Sequence, residues 1–302
     1  MAWLIVAICS YVFLAVTSLI DKILLSGSLS NPKLYAFYVG ILSSAAFLLL
    51  PFGIWANPGW RLLLIGAAAG AAQIYGSYFY LAALQRLEAS RAVPIIGSLV
   101  PLFGFFLTAA VSGGTAILSA RELAGFVLLI AGGWLIVARG VPIRNGGLHY
   151  VVQASFLFAL AVILSKLVYL ELPFIGGFIL LAFGSVFAAL TFLFSTEVRR
   201  TVFGHHSVKK EARPNILFFA GQVLGGGAFL LQSFSVSLAP QASVPVINAM
   251  AGVQYVFLLL FSTIISFFFP GMIKEKTDAH SIIQKLIAIM LIMIGLAIFA
   301  LT

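Results

Sequence analysis

The chain has 302 residues, of which 62% are hydrophobic and only 8% charged, and its net charge is +9. A soluble domain carries about a quarter charged residues because its surface faces water. With a mean hydropathy of +1.15, a soluble fold would expose apolar surface on every side, so lipid is the solvent for most of this chain.

A helical span needs about 20 apolar residues. Ten such runs follow one another: Trp3–Ile20, Leu34–Trp55, Leu62–Leu84, Ala92–Val111, Leu123–Ala138, Tyr150–Leu170, Phe174–Thr196, Ile216–Val236, Ser243–Phe269 and Ile282–Leu301. The first has no basic segment before it and no small-x-small site after it, so it reads as a span and not as a cleaved signal. Cys9, the single cysteine, is expected to pack inside that span, and no intrachain disulfide can form. Most connections are short, such as Ala56–Arg61 with its Asn57-Pro58-Gly59 turn. Short connections make consecutive spans antiparallel neighbours. The period-two alternation of barrel strands is absent, which leaves an all-α polytopic membrane protein.

The two halves resemble each other. Leu87, Val93, Pro94, Ile96, Phe106 and Leu107 recur as Leu238, Val244, Pro245, Ile247, Phe257 and Leu258 at a constant offset of 151, and Gly70 and Gly76 recur as Gly221 and Gly227. Leu129, Ile130 and Gly133 match Leu291, Ile292 and Gly295, and the first span of each half closes on a lysine, Lys22 or Lys166. The expectation is two five-helix repeats, residues 1–140 and 141–302. Five is odd, so the second repeat enters the membrane from the opposite side, as in many secondary transporters.

Lysine and arginine fall unevenly on alternate loops. Lys22, Lys33, Arg86, Arg91, Arg139, Arg144, Arg199, Arg200, Lys209, Lys210, Arg213, Lys274, Lys276 and Lys285 lie on one side, against Arg61, Arg121 and Lys166 on the other. Fourteen against three puts the rich side in the cytoplasm and both termini outside. The basic balance is thus a loop bias, and no nucleic-acid partner is expected.

Polar side chains inside spans are the candidates for a site, because burying them in hydrocarbon is costly. In the third span Gln73, Ser77 and Tyr80 share one helical face. Gln222 and Gln232 lie in the eighth span, and Asn248 and Gln254 in the ninth. Together they form a candidate cavity lining at the repeat interface; bonds between helices are the competing use of such residues. Lys22 and Lys166 either reach out to the headgroups or face the cavity and attract an anionic or carboxylate-bearing solute. The two GxxxG patterns, Gly66–Gly70 and Gly221–Gly225, are expected to bring helices together within the monomer. Pro94, Pro101 and Pro245 can kink or hinge their spans.

All eight acidic residues fall at span ends or in loops, which weighs against proton coupling through a mid-membrane carboxylate. His149, His205, His206 and His280 are similarly placed. HExxH, GxSxG and phosphate-binding glycine loops are absent. No catalytic residue, metal or cofactor is expected.

Tyr80-Leu-Ala-Ala-Leu84, Ala89-Ser90 and Pro101-Leu102-Phe103, followed by Gly125 and Gly132-Gly133, resemble the third to fifth helices of an EamA-type unit. Ala242-Ser243, Gly295 and Glu275 extend the resemblance to the second half. Ser112-Gly113-Gly114 and Gly252 depart from the pattern. The chain thus resembles a ten-helix member of the drug/metabolite transporter superfamily. The resemblance implies a cavity between the repeats, alternating access without ATP, and small metabolites such as amino acids as substrates, often exported across the plasma membrane. It also implies cytoplasmic termini, against the charge count. A lipid or amphiphile flippase is the alternative within transport. A non-transporting receptor or scaffold is the alternative outside it, although Glu197–Asn215 is too short for a soluble domain.

Overall fold

The computed structural model describes residues 2–25, 31–52, 58–87, 89–114, 118–137, 147–203, 216–254, 256–257, 260–261 and 279–300. These residues are all-α, in the order α1 (Ala2–Leu25), α2 (Pro32–Leu42), α3 (Gly59–Arg86), α4 (Ala89–Val111), α5 (Ala120–Val137), α6 (Leu148–Glu171), α7 (Phe174–Thr191), α8 (Thr196–Phe203), α9 (Ile216–Leu238), α10 (Val244–Ala249) and α11 (Ala279–Ala300). Six segments are long and apolar enough to cross a membrane: Ala2–Asp21, Pro32–Phe52, Gly59–Arg86, Leu148–Glu171, Phe174–Phe194 and Ile216–Leu238. The chain is an integral, multi-pass membrane protein. The His205-His206 pair, Glu275, the end of the ninth expected span and many of the counted loop charges lie outside the described residues, as do the side chains of Lys22 and Pro94.

Local chemistry sets the helix ends. Asn31 caps α2 by accepting from the amides of Lys33 and Leu34, a role its short carbonyl side chain fits. After Leu42 the second span winds into a 3-10 helix, Ser43–Phe52. The tighter helix rises about 2 Å per residue, so the 11 residues of α2 and these 10 together cover the hydrocarbon thickness of about 30 Å. Gly113 and Gly114 close α4 at φ 61° and 81°, in the left-handed region that glycine enters without a Cβ clash. Ser119 and Glu122 bond each other's backbone amides at the start of α5, a reciprocal cap.

Two expectations change. Pro245 stands in the first turn of α10, where its missing N–H has no intrahelical partner, so it starts a helix and does not kink one. Cys9 is exposed and not packed. The buried face of α1 runs through Leu4, Ala7, Tyr11 and Ala15, and Cys9, two residues past Ala7, points to the opposite side of the helix. The outward faces are apolar: Ile5 is 64% exposed and Val223 75%, as lipid-facing side chains should be.

The helices associate through small residues. Gly66 and Gly70 of α3 lie against α7, where a Cβ on Gly70 would strike the Leu181 carbonyl and the Ser185 amide, and one on Gly66 would strike Leu180. Gly184 returns the contact onto Ala67. Gly221 and Gly225 of α9 meet Ile20 and Thr17 of α1, while Gly132 and Gly295 close the α5–α11 pair. Both GxxxG patterns therefore act within the monomer. The most extensive contacts are α3 with α6 and α7, α1 with α9, α5 with α11, and α4 with α6 and α10.

Gly70→Val should lower stability by about 1–3 kcal/mol, the usual cost of overpacking, read as a drop in melting temperature in detergent. Gly226→Ala is the control, because its Cβ position is open; it should leave the melting temperature unchanged or raised.

Candidate functional site

Helix α3 enters the bundle beside α6 and α7 because its glycines allow close approach, and that approach carries Gln73 inward. A small cleft lies between α3, α6, α7 and α9. Its polar lining is Gln73 from α3, Ser165 from α6 and Gln232 and Ser233 from α9; Ala161, Leu181 and Phe229 are among its apolar walls. The Tyr169 hydroxyl is buried nearby, and its ring belongs to a residue only 8% exposed. Ser233 is the neighbour close enough to affect it, but their geometry falls short of a hydrogen bond. A buried hydroxyl without a good partner is costly, and here it stands beside a space that a water or a ligand group can enter.

The predicted residues divide into three groups. Gln73 and Gln232 come together in the cleft. Ser77, one turn along from Gln73, turns its hydroxyl onto the Gln73 carbonyl at 3.0 Å. Gln254 and Asn248 lie on the α1 and α4 side. The Gln254 amide donates to the Ser18 hydroxyl at 2.8 Å and the Leu14 carbonyl at 3.4 Å, tying α1 to the segment after α10. Asn248 is 3% exposed and its amide nitrogen has no partner; it faces Gly104 of α4, where a Cβ would come within 3.1 Å of it. Gln222 and Tyr80 lie elsewhere, toward the C-terminal end of α1, in the region of Asp21 and Tyr35.

Lys166 takes a position that neither expectation described. It is 4% exposed, so it does not reach the headgroups. Its ammonium donates to the carbonyls of Val236, Ser237 and Ala239 at 3.2, 3.2 and 2.5 Å. An ammonium has three protons, and all three are used at the C-terminal end of α9, where free carbonyls and the helix dipole favour a cation. In this conformation Lys166 anchors a helix end and offers no free donor to a solute.

Tyr11 is a site residue that the sequence reading missed. Its hydroxyl donates to the Ile247 carbonyl at 2.6 Å and accepts from the Gln232 amide at 3.3 Å. It thus links α1 and α10 to the cleft and orients Gln232. A tyrosine within an otherwise apolar buried stripe was the available signal. Ser165 and Tyr169 were also missed. Among the described residues, no group of three His, Cys, Asp or Glu side chains is placed to hold a metal.

No family model and no curated protein matches the chain. Nineteen solved chains match in fold. One of them, a protein known from a crystal structure, superposes with a TM-score of 0.67 at 17% identity, over 98% of this chain and 96% of its own length. At that identity the likeness is one of fold alone, and it extends over the whole length of both chains.

Lys166→Met should remove the charge-assisted bonds at the end of α9 and cost about 1–3 kcal/mol, seen as a lowered melting temperature. An unchanged melting temperature with transport abolished would instead make Lys166 a substrate ligand.

Proposed function

We propose that the chain is a secondary transporter of small metabolites, built as two inverted five-helix repeats of the drug/metabolite transporter type. The observation that carries this reading is the cleft. Gln73 and Gln232, from the third membrane helix of each half, line one polar space, with Ser165 and Ser233 beside them. A site at the interface of two halves is the usual position in inverted-repeat carriers.

The helix contacts support the duplication. Exchanging the halves turns the α1–α9 contact into the α6–α3 contact, and both are among the most extensive in the molecule. The pairs α5–α11, α2–α7 and α4–α10 then join equivalent helices across the exchange. The α3–α7 and α4–α6 contacts depart from this symmetry: both are extensive, whereas among the described residues their equivalents, α9–α2 and α10–α1, are slight. Alternating access requires such an inequality, since one side of the site is closed while the other is looser.

The lining is made of amides and hydroxyls with apolar walls. Such a surface suits a small, uncharged or zwitterionic polar solute, and amino acids and related compounds fit that description. The plasma membrane is the proposed location, export the proposed direction, and a monomer the proposed working unit. No catalytic step, metal or cofactor enters the mechanism. The chain's own residues bind the solute through Gln73, Gln232 and the cleft serines, and Tyr11 holds the Gln232 amide in place.

Gln73→Ala and Gln232→Ala should each reduce counterflow of a labelled amino-acid mixture in proteoliposomes by about tenfold, the loss of roughly one hydrogen bond at 1.4 kcal/mol per decade. Val223→Ala, on the lipid face, should leave it unchanged. Normal rates in both glutamine variants would remove the cleft as the site. Movement of a labelled phospholipid between leaflets, with no amino-acid flux, would replace the solute carrier with a lipid flippase.

A further inference from the structure

Helix α1 continues through Asp21 to Leu25, so this carboxylate is carried within a helix and not in a loop. Tyr35 of α2, only 2% exposed, donates its hydroxyl to Asp21 Oδ1 at 2.5 Å. A hydroxyl donating to an ionised carboxylate makes a charge-assisted bond, stronger than one between two neutral groups. Gln222 of α9 lies near the same hydroxyl, and Tyr80 of α3 lies close enough to interact with the carboxylate's charge. The ring of Phe218 meets Tyr35 edge-on at 5.6 Å, and Leu24, Leu34, Phe37 and Phe218 belong to the same apolar cluster as Tyr35. Lys22 follows in the chain, with its side chain outside the described ones.

The other described carboxylates are placed differently. Glu122 caps α5, while Glu171 and Glu197 are exposed. Among the described residues, Asp21 is the acid bonded to a buried group of a neighbouring membrane helix. Asp21 is the last residue of the first candidate span, and an ionisable group that pairs with a neighbouring membrane helix is a candidate for an ion or proton pathway.

The helices that hold this cluster also line or brace the cleft. On α1, Tyr11 bonds Gln232 and Asp21 bonds Tyr35. On α9, Gln232 lines the cleft and Gln222 joins the cluster. On α3, Gln73 and Tyr80 do the same, seven residues apart on one face. Ten helical residues separate the two positions on α1 and on α9, about 15 Å in each case. A change at Asp21 therefore acts on elements that also position the cleft.

We propose that Asp21 is the group through which this carrier takes up and releases a proton, with Tyr35 as the tie that protonation loosens. The proposal rests on the transporter reading above. A proton from water on one side adds to a carboxylate oxygen and gives a neutral carboxyl group. Tyr35 keeps its own proton, and its bond becomes the weaker one between two neutral groups. The charge is gone, so the cluster can pass through a closed, apolar arrangement at lower cost. The carboxyl returns its proton to water when the cluster faces the other side.

The test uses the full chain in liposomes. Infrared difference spectra on acidification should show a protonated-carboxyl band that Asp21→Asn abolishes and Tyr35→Phe displaces. Absence of any band lost in Asp21→Asn overturns the proposal. In proteoliposomes loaded with the labelled amino-acid mixture, a pH gradient should change wild-type net flux several-fold. In Asp21→Asn that response should vanish while counterflow persists. A preserved response in Asp21→Asn also overturns the proposal. If the mixture does not move in the wild type, the amino-acid reading fails, and the infrared band still decides whether Asp21 exchanges protons.

Discussion

Lipid tails are as apolar as leucine, so helices in a bilayer gain nothing by hiding apolar surface from one another. They associate through close van der Waals contact and a few polar bonds, and the rest of this structure depends on that constraint. Where α3 meets α7, glycines at 66, 70 and 184 let the two backbones touch. Where α9 meets α1, Gly221 and Gly225 make room for the side chains of Ile20 and Thr17. A space between such tightly joined pairs has fixed walls. The cleft lined by Gln73 and Gln232 lies between α3, α6, α7 and α9, and the glycine contacts of α3 and α9 keep it in register.

Polar bonds then specify which helix ends and faces meet. The Lys166 ammonium gathers the last carbonyls of α9. Gln254 reaches α1 through Ser18, and Gln284 of α11 reaches the Leu135 carbonyl of α5. Against these satisfied groups, three buried atoms among the described residues have no partner: the Thr108 hydroxyl, the Asn248 amide nitrogen and the Tyr169 hydroxyl. Tyr169 lies beside the cleft, and Asn248 follows Ile247, whose carbonyl receives Tyr11. Only the Tyr169 hydroxyl lies near a residue of the cleft lining, Ser233; the Asn248 amide faces α4 at Gly104.

Much of the fold was legible because membrane spans are written in composition. Runs such as Phe174–Thr196 and Ile216–Val236 have one stable solution in lipid, a helix, and the structure places helices there. The GxxxG glycines were legible for a related reason, since a missing side chain has one main use between helices. Gln73 and Gln232 could be picked out because a carboxamide in an apolar run needs a partner. The partners themselves were not legible. Lys166 bonds carbonyls some seventy residues away, and every residue type carries a carbonyl. Asp21 stands at the end of the first span, as the apolar run stopping at Ile20 indicated, but nothing in the sequence showed that Tyr35 would bond its carboxylate. Tyr11 was hidden because its ring reads as apolar and only its hydroxyl acts.

The central claim is that Gln73 and Gln232 share a space that water and solute reach. Cysteine accessibility tests it directly. In a Cys9→Ala background, Gln73→Cys and Gln232→Cys should both react with a small, membrane-impermeant thiol reagent in sealed vesicles and their inverted counterparts combined, while Val223→Cys on the lipid face should not. Failure of both cleft cysteines to react, in chains that still fold and insert, would contradict the account.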